Sequence, residues 1–224
     1  MILAGRVTVD GRVVSKAGTP VAPDAQLALN TPDHPYVGRG GVKLAHALDA
    51  FAINPAGRQA LDVGASTGGF TDVLLQRGAA SVIALDVGRG QLDWRLRNDP
   101  RVLVREGVNA RALTAEDVPH AVSLVTIDVA FISLRLILPA LPPFLERSSP
   151  GADVVALVKP QFEAGRDEVG PRGLVMDPVV HEAVLARVTD AAAALTLRRV
   201  AMTPSAITGA TGNQEYFLHL KSDA

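Results

Sequence analysis

The 224-residue chain has no cysteine. Disulfides, thiolate metal sites and a cysteine nucleophile are thereby excluded, and the composition suits a reducing compartment. Aromatic residues make up only 4% of the chain, so its core must be built from Ala, Val, Leu and Ile. Neither sign of charge dominates: 22 Lys and Arg stand against 23 Asp and Glu, for a formal net charge of −1. A protein that held nucleic acid by bulk charge would be strongly basic, so a nucleic-acid partner here must meet a local patch. No apolar run approaches the roughly 18 residues needed to cross a bilayer. The opening Met1-Ile2-Leu3-Ala4-Gly5-Arg6 is too short in apolar residues for a secretory signal. The chain therefore reads as cytoplasmic, with no membrane partner. Its histidines, His34, His46, His120, His181 and His219, form no close pair, so no metal is expected. What the chain does have is 48% hydrophobic residues, enough to bury a core for one domain or for one domain with a small attachment.

The first 30 residues differ in texture from the rest. Arg6 to Val14 alternates apolar and polar residues about Asp10-Gly11, which predicts a β-hairpin. Val21 to Leu29 can add a third strand. Thr31-Pro32-Asp33-His34-Pro35 reads as a linker. Beyond residue 40, short apolar strands alternate with helices. Strands are predicted at 60–64, 81–85, 102–104, 122–127, 154–158, 197–202 and 216–220. Helices are predicted at 42–51, 70–77, 91–97, 134–145 and 178–195, the last opened by Asp177 and Pro178. Such alternation implies a parallel sheet covered on both faces, with ligands at the carboxyl ends of its strands. The polar residues that follow strands are Asp62, Asp86, Asp128 and Lys159.

Leu61-Asp62-Val63-Gly64-Ala65-Ser66-Thr67-Gly68-Gly69-Phe70 runs from a strand through a glycine-rich turn into a helix. Glycine allows a sharp turn and close backbone approach to a ligand. Asp86 ends the next strand, where an acid can grip both hydroxyls of a ribose. The glycine spacing does not match a dinucleotide fingerprint, and no phosphate-binding lysine follows. The D-x-G-x-x-x-G-G form instead resembles the first motif of S-adenosylmethionine-dependent methyltransferases. Lys159 ends an apolar strand before Pro160, and lysine is rarely buried without a partner. Lys43 sits in the first turn of its predicted helix, where acids are the better fit to the helix dipole. Glu215 opens the last strand within Gly212-Asn213-Gln214-Glu215. Trp94 can stack on a base, but a lone helical tryptophan is more often in the core.

Taken together, Lys43, Asp128, Lys159 and Glu215 resemble the Lys-Asp-Lys-Glu tetrad of FtsJ-type ribose 2′-O-methyltransferases. Asp86 to Val102, including Gly90-Gln91-Leu92-Asp93-Trp94, and Val158-Lys159-Pro160-Gln161-Phe162-Glu163 resemble the TlyA family, often labelled hemolysin A. That resemblance implies a Rossmann-like α/β fold with a mostly parallel seven-stranded sheet and an antiparallel last strand. It implies S-adenosyl-L-methionine as cofactor and a cytidine ribose of ribosomal RNA, free or in a ribosomal subunit, as acceptor. Lys159 would be base or alkoxide stabiliser, with Asp128 orienting it, Lys43 tuning the field and Glu215 completing the network. Asp62, Gly64, Ser66, Thr67, Gly68, Gly69 and Phe70 would line the methionine side, Asp86 would hold the ribose, and Asn109 would lie near the adenine. Residues 1–30 resemble the back half of an αL-type RNA-binding domain, whose first basic helix has no counterpart here; 31–37 form the linker and 38–224 the methyltransferase domain. Gly38 departs from the family pattern, which more often has Ser there.

Arg6, Arg12, Arg39, Arg95 and Arg97 are the expected RNA contacts. Arg95 to Arg111 holds five arginines against Asp99 and Glu106, a local excess of three positive charges. The segment 160–176, after Lys159, is expected to be poorly ordered without RNA. Three other readings stay open: a small-molecule methyltransferase, a membrane-active hemolysin and a non-catalytic ribosome-binding protein. The oligomeric state is open too.

Overall fold

A computed structural model describes residues 7–14, 16, 18–29 and 34–223. Arg6 and the linker residues Thr31, Pro32 and Asp33 lie outside the described residues. The chain divides into two compact units, Met1–Pro35 and Tyr36–Ala224.

In the first unit, β1 (Val7–Val9) pairs antiparallel with β2 (Arg12–Val14) and with β3 (Leu27–Leu29). The hairpin turns at Asp10-Gly11, both at positive φ (49° and 77°), the backbone that a tight two-residue hairpin loop demands. The third strand is shorter than its apolar run.

The second unit holds α1 (Arg39–Ala50), β4 (Gln59–Val63), α2 (Gly69–Gln76), β5 (Ser81–Asp86), α3 (Trp94–Arg97), β6 (Val102–Glu106), β7 (Leu124–Ile127), β8 (Asp153–Val158), α4 (Pro160–Glu163), α5 (Pro178–Ala193), β9 (Leu197–Pro204) and β10 (Tyr216–Ser222). The sheet order is β6-β5-β4-β7-β8-β10-β9, with β10 antiparallel to both of its neighbours. The β4–β5, β5–β6, β4–β7 and β7–β8 pairings are parallel. This is the Rossmann-like arrangement, and its strand order reverses at β4 and β7. A crevice opens at such a switch point because the connections leave in opposite directions.

The two-residue strand period divides the core into two layers. Leu61, Val63, Ile83, Leu85, Val154 and Ala156 point to the layer that holds Val184 and Val188 of α5. Ala60, Val82, Leu124, Val155 and Phe217 point to the opposite layer, with Leu44 and Leu48 of α1 and Val73 and Leu74 of α2. Asp128, Lys159 and Glu215 continue the parity of Leu124, Val155 and Phe217. Their strands therefore aim them at the α1/α2 face, which is where Lys43 stands.

Four local expectations differ from the structure. The helix expected at 134–145 is a series of 3₁₀ turns, Leu134–Leu136, Leu138–Ala140 and Pro142–Phe144. Pro139, Pro142 and Pro143 lack the N–H that an α-helix needs and clash with the preceding turn. The helix expected at 91–97 is only α3, because Asp93 caps it through a bond from the Arg95 amide. Helix α1 starts at Arg39, so Lys43 lies beyond the first turn and away from the unfavourable dipole end. Trp94 is 71% exposed rather than in the core; on so short a helix it is Leu96 that turns inward.

Candidate active site

The glycine turn begins where β4 meets the crevice. Gly64 has φ +85°, and a Cβ there would fall 2.2 Å from the Asp128 carbonyl oxygen. Gly68 (φ +98°) opens α2, and a Cβ on it would meet Leu96 at 2.2 Å. Both positions combine a left-handed backbone with a close approach, which only glycine supports.

Asp62 differs from its expected role. It is fully buried and lines neither recess of the crevice. Thr71 Oγ1 donates to its Oδ2 at 2.7 Å and Thr126 Oγ1 to its Oδ1 at 3.0 Å. Burial pushes its carboxyl up to about 7, against the two hydroxyls and with the help of the Asp128 charge. Parity turns Asp62 to the α2 face and its depth, level with Thr126, keeps it short of the strand end, so it ties β4, β7 and α2 together beneath the turn. Gly68 likewise serves packing and lines neither recess.

The crevice has two recesses. One, of about 530 Å³, is lined by Asp86, Val87, Asn109, Ile132 and the rim residue Phe131. The other, of about 260 Å³, is lined by Thr67, Gly69, Phe70 and Lys159. Gly64, Ser66, Asp128 and Ala130 line both. Asp86 accepts from the Ser66 amide at 2.8 Å and from the Gly88 amide at 2.7 Å. A carboxylate offers about four acceptor positions, so capacity for two hydroxyls remains. Asn109 Oδ1 accepts from the Arg111 amide at 3.1 Å.

At the smaller recess, Lys159 Nζ lies 2.6 Å from Asp128 Oδ1, an ion contact outside hydrogen-bond angles. Behind it, Lys43 Nζ donates to Glu215 Oε2 at 2.5 Å, and both residues are buried. Tyr216 is in register with Val158, so Glu215 and Lys159 occupy the next position on adjacent strands. Four residues scattered along the sequence thus form two ion pairs at one end of the sheet.

Several residues at the site were not singled out in the sequence. Phe131 is 91% exposed at φ +64°, and its ring meets that of Phe162 at 5.2 Å, tilted by 52°. Asn213 is buried; its Oδ1 accepts from the Val175 amide and its Nδ2 donates to the Gly173 carbonyl. His181 bridges the Tyr216 hydroxyl and the Val175 carbonyl, each at 2.8 Å. Segment 160–176 is therefore tied down rather than loose. The one available signal was Asn213, two residues before Glu215.

The arginines depart from the expected patch. Arg95 pairs with Asp93, Arg97 with Glu106 and Arg101 with Asp99. Counting from Arg95 omits Asp93, and including it lowers the local excess from three positive charges to two. Arg39 is exposed and donates to the Thr208 carbonyl at 3.4 Å. Arg12 is exposed on β2 of the first unit. Among the described residues, no group of His, Asp or Glu could hold a metal ion, and no helix is long and apolar enough to cross a membrane.

Comparisons with known proteins identify the family. Residues 36–222 match the FtsJ-like methyltransferase family. The chain is 49% identical over 223 residues to the 16S/23S rRNA (cytidine-2′-O)-methyltransferase TlyA of Mycobacterium tuberculosis, covering 99% of this chain and 82% of that protein. It is 40% identical over 224 residues to Hemolysin A of Brachyspira hyodysenteriae, covering 98% and 90%. A solved structure from Streptococcus thermophilus, described as a hemolysin, is 43% identical with a TM-score of 0.83, over 99% of this chain and 80% of that one. A family match over most of the chain, and near-full-length identity approaching one half, make this protein a member of the FtsJ-like methyltransferase family.

Proposed function

We propose that the protein transfers a methyl group from S-adenosylmethionine to the ribose 2′-hydroxyl of a cytidine in ribosomal RNA. The observation that carries this reading is the pair of ion pairs, Lys43–Glu215 and Lys159–Asp128, beside a recess that ends at Asp86. The recess suits the donor: Val87, Val108 and Ile132 offer apolar walls to an adenine, and Asp86 has acceptor capacity for the adenosine ribose. Ser66, Thr67, Gly69 and Phe70 would line the methionine side, and Asn109 would lie near the base. When bound, the donor supplies an electrophilic methyl group on a sulfonium.

The chain's own residues align the acceptor and handle its proton. Asp128 lines both recesses, so Lys159, in contact with it, stands where donor and acceptor meet. In its neutral form Lys159 would take the hydroxyl proton, or as an ammonium it would stabilise the alkoxide, while the oxygen–methyl bond forms and the sulfur–methyl bond breaks to leave a neutral thioether. Asp128 holds the lysine in place. The Lys43–Glu215 pair behind it fixes the field without adding net charge. Holding the two reactants in line supplies a large part of the rate. RNA would be met by Arg39 on α1, by Arg95 and Arg97, and by Arg6 and Arg12 of the first unit. We assign residues 1–30 to an RNA-binding module, 31–37 to a linker and 38–224 to the catalytic domain.

The test is incubation with tritiated S-adenosylmethionine and unmethylated ribosomal subunits, followed by mapping of alkali-resistant ribose. Label on a cytidine 2′-hydroxyl is the expected result. Donor binding without label on RNA would overturn the assigned acceptor.

A further inference from the structure

Glu163 lies four residues after Lys159, inside the Lys159-Pro160-Gln161-Phe162-Glu163 run, and the chemistry above makes no use of it. It is only 3% exposed. A buried carboxylate is costly unless its oxygens are hydrogen-bonded, and here both are. Ser133 Oγ donates to Oε2 at 2.5 Å, and the Leu134 amide donates to Oε1 at 2.5 Å. Arg135 Nε is 3.5 Å from Oε2. Burial pushes this carboxyl above the ordinary glutamate range, against the pull of these donors.

The identity of the donors matters. Ser133 and Leu134 begin the 3₁₀ turn that ends the segment leaving Asp128. Val129, Ala130, Phe131 and Ile132, between Asp128 and Ser133, all line the larger recess. Glu163 ends α4, and Lys159 is the residue that caps the start of α4. One carboxylate therefore joins the segment that carries Asp128 to the helix that carries Lys159. Phe162 makes a second tie between the same two segments, through its ring contact with Phe131.

Resting on the proposed methyl transfer, we propose that Glu163 is a positioning residue: its carboxylate braces the 129–135 segment against α4 and so sets the Asp128–Lys159 contact. It touches no reactant and acts through those two residues.

The test compares Glu163→Ala, Glu163→Gln and Ser133→Ala. Glutamine keeps one acceptor oxygen for the Leu134 amide, but its NH2 meets a Ser133 Oγ that already accepts from the Arg135 amide and Nε, so it keeps part of the brace, whereas alanine removes both hydrogen bonds of the carboxylate. Well below the unfolding temperature, Glu163→Ala is expected to lower kcat by about 10-fold or more, the order of loss that follows misplacement of reacting groups. Donor KM should change little, Ser133→Ala should show a smaller loss, and Glu163→Gln should restore part of kcat. A second readout needs neither donor nor RNA. Amide hydrogen exchange of residues 129–135 should accelerate about 10-fold in Glu163→Ala, with β4 and β5 unchanged. Should Glu163→Ala not fold, Ser133→Ala carries the same exchange test. Wild-type exchange across 129–135 in the folded variants overturns the brace, as does a kcat loss that only tracks the folded fraction. If the wild type transfers no methyl, the functional reading fails while the exchange result still decides the brace.

Discussion

Lys43 Nζ and Glu215 Oε2 are 2.5 Å apart although 172 residues separate them in the chain. Helix α1 delivers the lysine and the start of β10 delivers the glutamate, both onto one face of the sheet. Removing one partner of a buried pair strands the other charge, at about 3–5 kcal/mol. Lys43→Met and Glu215→Gln are each expected to lower the urea midpoint and turnover. The double variant should recover stability but not turnover. Recovery of both would reduce the pair to a structural element.

Lys159 stands closest to the proposed reaction. Lys159→Met should depress methyl transfer by about 10² to 10⁴, the usual contribution of a positioned proton acceptor. Calorimetric donor binding should stay within a few-fold of wild type. Near-normal turnover would remove Lys159 from its assigned role.

Asp86 organises the larger recess through the Ser66 and Gly88 amides. Asp86→Ala removes that scaffold together with the expected ribose contact. Hydrogen bonds to a charged group are worth about 1.5–3 kcal/mol, so donor affinity should fall roughly 10- to 100-fold. Titration with S-adenosylhomocysteine, which cannot react, measures this directly. Undiminished affinity would mean the adenosine binds elsewhere.

Asp62 makes a prediction about pH. Burial raises its carboxyl from 3.8 to about 7 in the folded state. Within that window the folded chain binds more protons than the unfolded one, so this group's contribution falls as pH rises and is flat above it. The slope is at most about 1.4 kcal/mol per pH unit. Asp62→Asn should remove it, and urea unfolding of both proteins between pH 4.5 and 8 measures the difference. Parallel pH curves for the two proteins would show that Asp62 does not titrate there.

Much of the fold was legible because it follows from local rules. The apolar runs at 81–85 and 154–158 are buried strands, Asp10-Gly11 is a hairpin turn, and Asp177-Pro178 starts α5 through a bond from the Val179 amide to Asp177. The departures from those rules are local too. Three prolines break 134–145 into 3₁₀ turns, and Asp93 delays α3. The local positive excess is two rather than three because Asp93, just outside the window, pairs with Arg95.

By itself, the sequence determined the alternation of strands and helices, the glycine turn, and the residue types at the strand ends, since period, backbone freedom and composition are properties of neighbours along the chain. Only the tertiary structure decided which of those residues meet. Strand parity turned Asp62 and Asp128 to the same face, and depth along the strands separated them: Asp62, level with Thr126, is closed in by two threonines, while Asp128, two residues nearer the strand end, reaches Lys159. Sheet order set Glu215 beside Lys159 and opposite Lys43. The tie from Glu163 to Ser133 and Leu134 arose the same way. The physical reason is that ion pairs and hydrogen bonds depend on distance in space, and that distance is set by how strands are ordered and faced rather than by their spacing in sequence.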